Sequence, residues 1–151
     1  MSSNIKEVLY QHCVNYVQNR IKTIQDSISS SQESANSETK STAGDKHDTA
    51  RAMMQLEVEQ KSKQLAEAQK LTIGLSLIKP TLKLSTVQLG ALVFTNYGIY
   101  YLAISTSKID LMYSTYFLIS PNSPIGQALL GLKKGDATEF NGKKITIEDV
   151  Q

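Results

Sequence analysis

The sequence predicts an α+β protein in two parts: an antiparallel α-helical coiled-coil hairpin, then a small domain of antiparallel sheet plus one short helix. Three observations predict it. Apolar residues recur at three- and four-residue steps on both sides of a polar stretch near residues 43–49. After Pro80 the period changes to short runs of β-formers. Near the end, Asn141-Gly142 separates two such runs, the strongest short hairpin signal.

The first helix is expected from Asn4 to about Ala35, where Ile5, Val8, Leu9, Cys13, Tyr16, Val17, Ile21, Ile24 and Ile28 recur at the spacing of one face. From Ser29 to Thr42 the stripe is lost and Ser, Thr and Asn compete for backbone hydrogen bonds, so the helix is expected to fray there. Helix character returns with Asp48 or Thr49 as N-cap. It runs through Met53, Met54, Leu56, Val58, Leu65, Ala68, Leu71, Leu75 and Ile78 to a stop at Pro80. Lys61 and Gln64 interrupt the second stripe, which predicts looser pairing there. A helix from Asp48 to Ile78 is a rod of roughly 45 Å at about 1.5 Å per residue. Neither helix can bury its stripe except against the other. Residues 1–79 are therefore read as the hairpin, 80–86 as a linker and 87–151 as the C-terminal domain.

In that domain Val87 to Thr95 and Ile99 to Ser105 are expected as strands around the turn Asn96-Tyr97-Gly98, with Ile109 to Ile119 a further strand. Ser123 is placed to cap a short helix that has Pro124 at its first position and Gly131 as its stop. Ala137 to Phe140 and Lys143 to Ile147 close the sheet as a hairpin.

Composition narrows the function. Sixteen Lys+Arg against 14 Asp+Glu are spread along the chain, with no basic block for a nucleic-acid tail. Two histidines, His12 and His47, and one cysteine, Cys13, are too few for a zinc site within one chain. There is no Gly-rich phosphate loop, nucleophile elbow, signal-peptide core or apolar run of membrane-spanning length. A cytoplasmic, reduced protein that is not a self-contained enzyme is expected. Asp45 and Asp48, at the bend of the hairpin, can cap the second helix. They can also serve as two carboxylates at the end of a rod, able to hold a divalent cation where other ligands are supplied. Met53, Met54 and Cys13 are read as apolar packing residues.

The segment Ser123-Pro124-Ile125-Gly126-Gln127-Ala128-Leu129-Leu130-Gly131-Leu132-Lys133-Lys134-Gly135-Asp136 resembles the signature of the bacterial Gre transcript-cleavage factors, the GreA/GreB family. Gly44-Asp45-Lys46-His47-Asp48 also resembles that family's acidic tip. The resemblance implies an FKBP-like C-terminal domain that docks on RNA polymerase near its secondary channel, with a surface around Ser123, Pro124, Ile125, Leu129 and Gly131. It implies that the hairpin enters the channel and that Asp45 and Asp48 share Mg²⁺ with the polymerase active centre, stimulating cleavage of backtracked RNA. The protein binds no cofactor by itself in this reading, reaches nascent RNA and DNA only through the elongation complex, and acts as a monomer away from any membrane. The tip departs from the family pattern in having Asp48 where Glu is usual, with Lys46 and His47 between the acids. Those departures keep open a channel-binding regulator without cleavage activity. A peptidyl-prolyl isomerase is weakened by the absence of Trp to floor a proline pocket. A helical dimerisation module is a further alternative.

Overall fold

The elements follow one another as two long helices and then an α+β domain: α1 (Ser2–Ser41), α2 (Asp45–Ser76), β1 (Leu92–Thr95), β2 (Ile99–Leu102), β3 (Ile109–Leu111), β4 (Ser114–Ile119), α3 (Pro124–Leu129), β5 (Ala137–Phe140) and β6 (Lys143–Val150). The computed structural model describes the backbone of residues 2–41 and 45–151, and the side chains of 5–33 and 48–151. Among the described residues no helix is long and apolar enough to cross a membrane.

The chain divides into two units, residues 15–72 and residues 1–14 with 73–151. The boundary expected at Pro80 therefore falls inside the second of these, which also takes in the first turns of α1 and the last of α2. In the unit of residues 15–72, Val17, Ile24 and Ala68 are buried, while Tyr16, Met53 and Leu56, all expected on the apolar stripes, are exposed. Met53 is thus not packing residue but surface, because a helix with a single partner buries only a narrow seam. The expected fraying after Ser29 is not seen: α1 stays helical to Ser41. Ser31 is held from the other helix, its hydroxyl donating to Glu57 Oε2 at 3.0 Å and accepting from Lys61 Nζ at 2.8 Å. That polar bridge replaces the lost apolar stripe. α2 begins at Asp45, ahead of the expected caps at Asp48 and Thr49.

In the other unit α2 ends at Ser76 rather than at Pro80. Its last carbonyls turn inward: Leu77 N donates to Gly74 O, Ile78 N to Leu75 O, and Tyr10 Oη also donates to Leu75 O at 3.0 Å. Val87 is not in a strand. It bonds instead to the far end of α3, accepting from Gly131 N and donating to Leu132 O, both at 2.8 Å. Gly90 takes a left-handed φ of 90° that ends the run before β1, and its Cα faces Ile78 so closely that an added Cβ would lie 3.1 Å from Ile78 Cγ2.

The sheet has the order β3-β4-β2-β1-β6-β5. It is antiparallel as expected except that β2 and β4 run parallel, Tyr100 beside Phe117 and Leu102 beside Ile119. The expected single strand Ile109 to Ile119 is a hairpin, β3–β4, broken at Met112-Tyr113. β1 and β6 pair with one irregularity, which places Phe94 opposite Asp149 and Thr95 opposite Ile147. Asn96 secures that edge, its side chain accepting from Thr146 N and donating to Lys144 O. Asn141 and Gly142 both have positive φ, 52° and 78°, the backbone of a tight hairpin turn that sets Phe140 opposite Lys143.

Side chains alternate across the strands, so neighbouring rows face opposite sides. The row Leu92–Tyr101–Leu118 is buried on one face. Cys13 shares that environment, with a backbone hydrogen bond to Ile104, and burial pushes its thiol up to about 11. The row Val93–Tyr100–Phe117 lies on the other face, where Val93, Leu102, Ile119, Ile145 and Ile147 form a core with Leu129 of α3.

Candidate functional site

The signature segment folds as cap, helix and stop. Ser123 has the extended backbone of an N-cap, its Oγ accepts from Gly126 N at 3.1 Å and donates to Ser120 O at 2.6 Å, and Pro124 occupies the first turn without needing a donor. Gly126 must be small. A Cβ there would lie 2.2 Å from Ser120 O and 2.9 Å from Ser123 Oγ. At the other end Gly131 adopts φ 82°, the left-handed stop after Leu130. Beyond it, Asp136 Oδ2 accepts from Lys133 N at 3.0 Å, closing the turn that leads to β5.

This construction aims one side chain outward and one inward. Leu129, proposed from the sequence as part of a docking surface, is 0% exposed and sits in the core. No partner can touch it without unfolding the helix, so it anchors α3 from beneath. Ser123 spends its hydroxyl on the cap, whereas Pro124 and Gly131 are exposed. Ile125 is half-buried and forms one wall of a cleft of about 440 Å³.

The opposite walls come from strands distant in sequence. Tyr100 of β2 and Phe117 of β4 lie side by side with ring centroids 5.6 Å apart and planes tilted by 32°. Gly98 lets Phe117 close over the β1–β2 turn, since a Cβ at Gly98 would be 3.1 Å from the Phe117 ring. Ile119, Phe140 and Ile145 complete the apolar lining, and Tyr97, Asn141 and Lys143 stand at it as the polar members. Burial raises the Tyr100 phenol above its ordinary value, so that ring stays neutral through the physiological range. Lys143 Nζ lies 5.4 Å from the centre of the Tyr97 ring, a cation–π contact worth about 0.5–1 kcal/mol at an exposed site. An apolar floor with a few convergent polar groups is a binding surface for another molecule's side chains. It contains no nucleophile–base pair.

Sequence reasoning found Ile125 but missed the aromatic walls. Tyr97 is legible there only as a turn residue, and the pairing of Tyr100 with Phe117 depends on a parallel crossover with no local signature. Phe140 and Lys143 were within reach. The Asn141-Gly142 turn sets them opposite each other, hence on one face with Ile145.

The tip is the second candidate. Asp45 opens α2, but its side chain, with those of Lys46 and His47, lies outside the described residues, as do Ala43 and Gly44 altogether. Asp48 is exposed. Among the described residues no group of three or more His, Cys, Asp or Glu side chains gathers to hold a metal. A second cleft, about 330 Å³, opens in the helical unit where Tyr16, Arg20 and Ile24 face Gln64.

Residues 108–151, from β3 through the signature segment to the end of β6, match the family described as "Transcription elongation factor, GreA/GreB, C-term". No curated protein sequence matches the chain. Among solved structures, the chain is similar to the transcription factor Gfh1, at 14% identity, with 90% of this chain and 91% of that one covered and a TM-score of 0.36. GreA factor homolog 1 (Gfh1) of Thermus thermophilus is similar at 15% identity, with 94% of each chain covered and a TM-score of 0.34. Thermus aquaticus Gfh1 is similar at 15% identity, with 91% and 92% covered and a TM-score of 0.33.

Proposed function

We propose that this protein is a Gre-like transcription elongation factor that binds RNA polymerase and acts through its secondary channel, a reading supported by the match of residues 108–151 to the GreA/GreB C-terminal family. The observation that carries this reading is the family match across the segment that builds α3 and the cleft beside it. Docking uses that cleft and the exposed start of α3: Pro124 and Ile125 meet the polymerase, while Ser123, Leu129 and Gly131 hold the helix in shape for them. The protein is an accessory factor, and the chemistry belongs to the polymerase.

The helical hairpin is the part that enters the channel, with Asp45 and Asp48 lending carboxylates at the polymerase active centre. A magnesium ion bound there would supply charge neutralisation for phosphoryl transfer to water, and Asp45 and Asp48 would contribute carboxylates to it. Exposure of Asp48 supports such a role. The replacement of the usual Glu by Asp48, and the presence of Lys46 and His47 between the two acids, favour a second reading in which the hairpin occupies the channel without stimulating cleavage.

The test is co-purification with RNA polymerase followed by a time course of RNA cleavage in a backtracked complex. Wild type should accelerate cleavage and Asp45→Ala/Asp48→Ala should not. Binding with equal, negligible acceleration by both proteins selects the non-cleaving regulator, and no binding removes both readings.

A further inference from the structure

We infer that Lys143 selects the docking partner: the polymerase segment that fills the apolar cleft carries a carboxylate beside its apolar anchor. This rests on the docking reading above. Lys143 is the charged residue among those lining the cleft. Among the described residues no carboxylate lies within ion-pair distance of it. Glu139 is in the adjoining strand but pairs with Lys144, and strand alternation puts both on the face away from Lys143 and Phe140. Asp110 is bonded to Thr115 Oγ1, Asp136 to Lys133 N and Asp149 to Gln151 Nε2.

The ammonium is also held in place. Its seat over the Tyr97 ring removes part of the rotamer freedom that a lysine otherwise loses on binding, while the ring cannot neutralise the charge. Tyr97 is itself half exposed, so the pair stands at the mouth of the cleft and not on its floor. An apolar side chain entering between Ile125, Phe117 and Phe140 would bring its neighbours past this pair. A carboxylate there gains an ion pair, an uncharged neighbour gains nothing, and a basic one is repelled. Such rim charges set partner choice and encounter rate more than raw affinity.

The experiment measures binding of the full chain to purified RNA polymerase, free of nucleic acid, at low and high salt. Lys143→Gln should weaken binding at low salt by roughly two- to fivefold, the size of an exposed ion pair, with the difference shrinking at high salt. Lys143→Glu should weaken it further, and Lys134→Glu, an exposed lysine outside the cleft lining, should stay within about twofold of wild type. Thermal melts of the variants should lie within about 4 °C of wild type, because exposed Lys143 loses only its contact with the Tyr97 ring. Wild-type affinity in Lys143→Glu overturns the inference while leaving the docking reading intact. Equal weakening by Lys134→Glu does the same, since it makes the effect one of overall charge. Binding that requires added RNA or DNA assigns Lys143 to a phosphate and overturns the carboxylate partner. Absence of any wild-type binding overturns the docking reading itself.

Discussion

Lys6 Nζ donates to the carbonyl of Leu82 at 2.7 Å while the residue is only 2% exposed. The first turn of α1 thereby grips the segment joining α2 to the sheet, and Tyr10, one turn on, grips Leu75 O in the same way. A charge held by one carbonyl is poorly compensated for the water it has lost. Burial accordingly lowers the Lys6 pKa below its ordinary value of 10.5.

The sign of the pH dependence follows. Between its lowered folded value and 10.5, Lys6 is deprotonated in the folded chain but still protonated in the unfolded one, so stability rises with pH across that window. Lys6→Met removes this component. Urea melts of both proteins at neutral pH and near pH 10.5 should show wild type gaining on Lys6→Met as pH rises; a constant difference would mean that folding leaves the Lys6 pKa unchanged.

The cap of α3 gives a second expectation. Gly126→Ala puts a methyl group into the Ser120 carbonyl and the Ser123 hydroxyl, so the cap must open or the helix shift. Such overpacking costs about 1–3 kcal/mol. A lower urea midpoint together with weaker polymerase binding is expected, and an unchanged midpoint would show that the 120–126 turn relaxes freely.

Met112 predicts a gain. It has φ 55° at the β3–β4 turn, a conformation that asparagine tolerates better, and its side chain is 95% exposed and contributes no packing. Met112→Asn should stabilise the protein by about 0.5–1 kcal/mol, read as a higher melting temperature. The neighbouring Tyr113 is also fully exposed.

Cys13 should be chemically silent. Its thiol is buried and raised to about 11, so the thiolate that would attack an aromatic disulfide reagent is scarce at neutral pH. Labelling of the native protein at pH 7.5 should be slow, and fast after unfolding in urea. Beside it the Tyr101 hydroxyl is buried without a partner among the described residues, and its pKa is likewise raised, first by burial and then by Cys13 and Tyr10.

The sequence by itself determined the two long helices, the helix Pro124–Leu129 with its serine cap and glycine stop, and the Asn141-Gly142 hairpin. Each of these is written in residues within a few positions of one another, where period, capping and turn chemistry act. It also determined that Cys13 would pack as an apolar residue. Tertiary structure decided the rest, because it depended on pairs far apart in the chain. The β2–β4 crossover brought Tyr100 to Phe117, and the Val87–Gly131 bonds took Val87 out of its expected strand. The same pairings buried Leu129 under α3 and left Ile125 and Lys143 facing one cleft. No local pattern encodes these outcomes, since strand neighbours are chosen by which buried rows fit together once the chain has folded back on itself.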